Sequence, residues 1–228
     1  MPLIKLTDEI SYLPSVDKPI SSDVAFIKTS QATWIFDTGT TKEAAELINS
    51  IEGTKNVVIS HFHFDHIFNL TKIKYDNLYV SKYTKRYSRK GTVVESSLEF
   101  PEQGIRLFEI PSSHAKGCLA LEFKNYAFLG DATYCKIKIG SHEYNVQLLE
   151  QMIQSMEQIK ADNFCLSHDK NFSVSKESVI ALYKKIFNRR IPGKSTINVN
   201  DFFNADGSTA DRPDALGSNT KNLNEYLK

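Results

Sequence analysis

The stretch Asn56-Val57-Val58-Ile59-Ser60-His61-Phe62-His63-Phe64-Asp65-His66 decides how the chain reads. Its first five residues are β-branched and small, a compact buried strand. It then breaks into three histidines and an aspartate within six positions. In extended backbone, residues two apart point the same way, so His61 and His63 can grip one ion together. Asp65 and His66 fall where the chain turns and can reach a second ion beside the first. Imidazole and carboxylate suit Zn, Fe or Mn. A thiolate-only site is excluded, because Cys118, Cys135 and Cys165 lie far apart and form no CxxC pair.

Moving outward, the other candidate ligands also follow strands. His114 comes after a predicted strand at Gly104 to Ile110, and Asp131 directly follows Leu129-Gly130 at the end of Tyr126 to Leu129. His168 follows Asn163 to Ser167. Strands that share a direction deliver their ends to one edge of a sheet, so these loops can converge. A carboxylate such as Asp131 can bridge two ions through its two oxygens. Two ions ~3.5–4 Å apart share a hydroxide that is available near neutral pH.

The rest of the chain supplies a scaffold for that edge. Short β-branched and aromatic segments at Leu3 to Leu6, Ile10 to Leu13, Val24 to Thr29 and Thr33 to Phe36 read as strands, with further ones at Leu78 to Val80 and Cys118 to Phe123. Helical spacing of apolar residues marks Lys42 to Ile51, about Asn145 to Lys160, and Ser175 to Arg189. A meander of strands followed by helices between later strands predicts an α/β fold of two sheets flanked by helices. Residues 1–190 are expected to form one domain. From Pro192 onward the composition turns polar, so 191–228 is expected to be a C-terminal extension, packed on the domain or partly disordered.

Bulk properties narrow the function classes. Twenty-eight basic residues against 27 acidic ones leave a net charge of +1, so no global field draws the protein to nucleic acid or anionic lipid. No stretch approaches the length needed to cross a membrane. The N-terminal residues lack the apolar core of a signal peptide, and an odd, sparse set of cysteines suits a reducing compartment. The expectation is a cytoplasmic protein acting on a small-molecule substrate.

The run His61-x-His63-x-Asp65-His66 resembles the hallmark of the metallo-β-lactamase superfamily, and the resemblance in motif and element order covers roughly residues 3 to 190. It implies a four-layered αββα sandwich. It also implies one metal held by His61, His63 and His114, another by Asp65, His66 and His168, and Asp131 bridging them. Two divalent ions are expected, Zn foremost, with Fe or Mn as alternatives. The turn Asp37-Thr38-Gly39 matches an Asp-x-Gly turn of the family, where Asp37 would fix a metal loop. His142 competes with His168 for the last ligand position, since His142-Glu143-Tyr144 resembles a segment of the glyoxalase II branch. The family places a helix and a strand between Asp131 and the last histidine, and only His168 leaves room for both.

Among branches, Asp131-Ala132-Thr133-Tyr134 with His168-Asp169 resembles the N-acyl homoserine lactonases. That resemblance implies a hydrolase of esters, thioesters or lactones in which Tyr134 donates to the substrate's developing oxyanion. Asp65 would orient the nucleophile and take its proton. Two alternatives stay open. Lys82, Lys85, Arg86, Arg89 and Lys90, interleaved with Tyr83 and Tyr87 and no acid, would suit a phosphodiesterase or RNA-processing nuclease. A persulfide dioxygenase would hold a single iron at His61, His114 and Asp131.

Overall fold

Alternation along the strands assigns each apolar residue to a layer. In the strand Thr33–Phe36, Trp34 and Phe36 enter one core cluster and Ile35 another. In Lys55–Val58, Val57 and Val58 divide the same way. In Cys118–Phe123, Leu119 and Leu121 face one cluster while Cys118 and Ala120 face a third. Strands buried on both faces need a cover on each side, and this sequence provides it.

The computed structural model describes residues 2–138 and 141–200. A seven-stranded sheet runs, in spatial and sequence order, through Ile4–Lys5, Ile10–Leu13, Val24–Lys28, Thr33–Phe36, Lys55–Val58, Asn77–Val80 and Thr92–Val93. Its first four strands pair antiparallel and its last four parallel. A six-stranded sheet runs through Ser97–Phe100, Ile105–Ile110, Cys118–Phe123, Tyr126–Gly130, Asn163–Leu166 and Ser173–Ser175. Tyr126–Gly130 and Asn163–Leu166 are parallel neighbours, and Ile105–Ile110 shares their direction through two antiparallel steps. Three strands of this sheet therefore deliver their C-terminal ends to one edge.

The cluster around Trp34, Leu107, Leu121 and Phe128 lies between the sheets. The helix Lys42–Ser50 buries Ala44, Ala45 and Ile48 on the outer face of the first sheet. Val146–Gln158 and Lys176–Phe187 cover the outer face of the second with Met152, Met156, Val179 and Tyr183. Each helix starts on a side-chain cap, from Thr41 to the Ala44 amide, Asn145 to Leu148 and Ser175 to Ser178. The result is the expected αββα layering.

Several short elements escaped the sequence reading. A hairpin of Lys136–Lys138 and Ser141–Asn145 forms a small sheet with Thr196–Asn198. Its strands are short and mostly polar, held by buried Tyr144 and Ile197, so no long alternation announced them. Residues 191–200 of the expected extension thus pair with the domain and bury Ile197 and Val199, while 201–228 lie outside the described residues. The edge strands Ser97–Phe100 and Ser173–Ser175 are likewise too short and half-buried to stand out. Among the described residues no helix is long and apolar enough to cross a membrane.

Candidate metal centre

Where the strand Lys55–Val58 ends, the chain passes Ser60 and His61 and turns into the short helix Phe64–Ile67, with His63 at its N-cap. The Ser60 carbonyl accepts from the Leu119 amide at 2.7 Å, which ties this loop to the second sheet. Asp131 and His168 follow the parallel strands of that sheet, and the Ser167 amide donates to the Gly130 carbonyl at 3.2 Å. Gly130 must be a glycine. Its φ is 55°, and a Cβ there would come within 2.7 Å of the Ser60 Cβ.

This junction brings all seven predicted ligands together in two groups. His61, His63 and His114 form one; Asp65, His66, Asp131 and His168 form the other, and within each group one donor atom per residue lies within 4.8 Å of the rest. Asp131 sits between them. Its Oδ2 is 3.2 Å from His66 Nε2, 3.4 Å from His114 Nε2, and 4.0 Å from the Nε2 atoms of His61 and His168. Asp65 Oδ2 lies 2.9 Å from His168 Nε2 and 3.4 Å from His66 Nε2.

A ring of polar groups orients these side chains. Asp37, fully buried with φ 63°, accepts from the Ser60 amide and hydroxyl, each at 2.8 Å, and its Oδ2 lies 2.7 Å from His66 Nδ1. The Ser60 hydroxyl is also 3.0 Å from His61 Nδ1. Thr38 donates to the His66 carbonyl through its amide and its hydroxyl, both at 2.9 Å. With the Nδ1 atoms engaged outside, the Nε2 atoms of His61 and His66 turn inward. They and Asp131 Oδ1 are buried with no hydrogen-bond partner. Buried polar atoms are rarely left so, each costing about 1–3 kcal/mol, and cations would supply the missing partners. The donor set fits divalent metal.

Electrostatics agree. Burial, reinforced by neighbouring histidines, holds His61 well below its ordinary pKa and lowers His63 to about 4. Burial likewise lowers His114. These three present neutral, ligand-ready rings at neutral pH. For His66 and His168 burial opposes protonation, but Asp131 and the other carboxylates outweigh it and raise both. Burial pushes Asp65 and Asp131 up, yet His66 and His168 hold both carboxylates below the usual range.

The sequence reading missed Asp23. This buried carboxylate accepts from the His168 amide at 2.8 Å and the Ser15 amide at 3.0 Å, pinning His168 in a left-handed conformation with φ 61°. An acid opening the apolar strand Val24–Lys28 was the available signal. Tyr134 stands beside the cluster, its ring 6.1 Å from that of His114, and its hydroxyl donates to the Ser167 carbonyl. Burial raises its pKa well above the ordinary value, so it keeps its proton. His142 lies in the small sheet, its amide donating to Asn200 Oδ1 at 2.7 Å, and joins neither donor group.

The basic segment, which nothing in the sequence relates to the site, proves to border it. Tyr87 stacks on Phe62 with ring centroids 4.7 Å apart and planes within 7°, and Phe62 in turn is 5.1 Å from the His63 ring.

Comparison with known proteins agrees with this geometry. The family described as "Metallo-beta-lactamase superfamily" matches residues 17–86, which span the Asp37 turn and the histidine motif. No curated protein matches the chain. Among solved structures, VMB-1 is similar at 17% identity and TM-score 0.58, covering 81% of this chain and 96% of that one. The metallo-β-lactamase DIM-1 is similar at 14% identity and TM-score 0.62, with 82% and 96% covered. The chemotaxis sensor ODP, solved as a peroxy diiron species, is similar at 12% identity and TM-score 0.58, with 81% and 94% covered. At such identities these structures speak for the fold, and the family match adds the motif. The chain therefore shares its fold with these metallo-β-lactamase structures, and its residues 17–86 match the superfamily's model.

Proposed function

We propose that the protein is a metal-dependent hydrolase that uses a dinuclear site to cleave a carboxylic ester, thioester or lactone in a small-molecule substrate. The observation that carries this reading is Asp131, whose Oδ2 lies within 4.0 Å of histidines from both donor groups. One ion would be held by His61, His63 and His114, the other by Asp65, His66 and His168, with Asp131 shared. Zn fits these nitrogen and oxygen donors, and Fe or Mn would be accepted by the same set. Bound divalent metal supplies Lewis acidity and a water ionised near neutral pH.

The chain's own groups complete the chemistry. Asp65, kept ionised by His66 and His168, orients water and accepts its proton. Tyr134, protonated throughout the neutral range, donates to the oxygen on which charge develops, exchanging its bond to the Ser167 carbonyl for one to substrate. The three cysteines, buried and unpaired, fit a reducing, cytoplasmic setting.

A panel of lactones, thioesters and bis-aryl phosphodiesters, assayed with wild type and Tyr134→Phe, tests this. Turnover of carbonyl substrates, reduced ~10²–10³-fold by Tyr134→Phe, is expected. Cleavage of phosphodiesters alone would overturn the reading, and an unaffected Tyr134→Phe would remove that residue from the mechanism. His168→Ala should lose metal while His142→Ala retains it.

A further inference from the structure

Beside the metal centre lies a surface that the hydrolytic chemistry does not use. Tyr87 is 59% exposed and stacked on Phe62, whose ring lies 5.1 Å from that of His63. One turn back, Tyr83 is flanked by two cations, with Lys82 Nζ 5.3 Å and Arg86 Cζ 5.5 Å from its ring centroid. The loop after His114 packs on the same ring, since a Cβ on Gly117 would come within 2.7 Å of Tyr83, and its neighbour Lys116 is exposed. Lys82, Arg86 and Lys116 take part in no ion pair among the described residues, and no acid occurs from 82 to 90. Lys85 is different, because its ammonium donates to the Gly91 carbonyl.

We propose that Tyr87 with Phe62, and Lys82, Arg86 and Lys116 around Tyr83, form a subsite for a ring-bearing, phosphate-carrying end of the substrate. The ring stacks on Tyr87 and the phosphate meets the unpaired cations, while the scissile carbonyl lies over the His/Asp cluster. Stacking tolerates any flat heteroaromatic face, and exposed cations without acids attract anions at modest cost in desolvation. The proposal rests on the hydrolase reading above and narrows it to esters or thioesters of nucleotide-like groups.

The test compares three acetyl thioesters on the metal-loaded protein: coenzyme A, which carries adenine and phosphates, glutathione, which carries carboxylates but no ring, and N-acetylcysteamine, which carries neither. The coenzyme A thioester should lead N-acetylcysteamine by about tenfold or more in kcat/KM, mostly through KM, as expected for several weak exposed contacts acting together. That lead should collapse toward one in Lys82→Ala/Arg86→Ala and in Tyr87→Ala, and shrink at high salt. It should persist in Lys28→Ala/Lys184→Ala, which removes equal charge elsewhere. Equal rates on all three thioesters, or a glutathione thioester matching coenzyme A, would overturn the subsite. Binding of ADP, followed by calorimetry, gives a readout independent of turnover. If no thioester is cleaved, the thioester form of the hydrolase reading fails, and ADP binding that weakens in Lys82→Ala/Arg86→Ala still supports the subsite. No ADP binding by wild type overturns it, as would cleavage of a short single-stranded RNA that depends on the same residues.

Discussion

Trp34 and His61 are equally buried, each with no exposed surface, yet they obey opposite rules. Trp34 lies between the sheets, where nearly everything is apolar. Its single polar hydrogen is satisfied, Nε1 donating to Gln103 Oε1 at 2.8 Å. His61 lies at the sheet edge, and its Nε2 is buried with no hydrogen-bond partner, as is that of His66. The first region is complete as folded. The second leaves His61 Nε2 and Asp131 Oδ1 buried without a partner, and atoms of that chemistry fit a cation. Stability and function are therefore separable along the same strands.

The sharpest way to break that comparison is at Asp131. Asp131→Ala should abolish turnover and reduce metal occupancy, with the fold retained because His66 and His168 can give up their protons once the carboxylate is gone. Trp34→Ala should do the reverse. It should cost about 3–5 kcal/mol of unfolding free energy, read by denaturant titration, and leave metal stoichiometry intact in the folded fraction. Asp37→Asn sits between the two, keeping the shape of the turn but losing the charge beside His66 Nδ1. A 10–100-fold weaker metal affinity, with the fold retained, is expected in competition titrations. Smallest is Thr41→Ala, which removes the cap of Lys42–Ser50. It should lower stability by about 1 kcal/mol and leave metal affinity alone.

How much of this was legible in the sequence follows the same division. Long alternating or helical patterns, such as Cys118–Phe123 and Lys176–Phe187, are readable because burial enforces their period. The clustering of the seven candidate donors was legible because His61 to His66 compresses four of them into six positions and because His114, Asp131 and His168 each follow a strand. Asp23 was not, since its role depends on a contact 145 residues away at the His168 amide. The hairpin Lys136–Lys138 with Ser141–Asn145 was missed because its register depends on Thr196–Asn198, far along the chain. Nor could sequence place Tyr87 on Phe62, a contact made by two separate loops of the fold.

Protonation adds a direction to the account. In the metal-free protein the neighbouring carboxylates favour the protonated forms of His66 and His168, whereas burial favours the neutral forms of His61, His63 and His114. Metal uptake must expel the protons of the first two, so apparent affinity should rise with pH.

The central claim is that the edge cluster is a two-ion site, and calorimetric titration of metal-stripped protein with zinc tests it most directly. The account predicts two ions bound per chain at neutral pH, with proton release visible as a dependence of the heat on buffer ionisation, and a reduced stoichiometry in Asp131→Ala. Saturation at a single ion, or two ions bound equally well by Asp131→Ala, would contradict it.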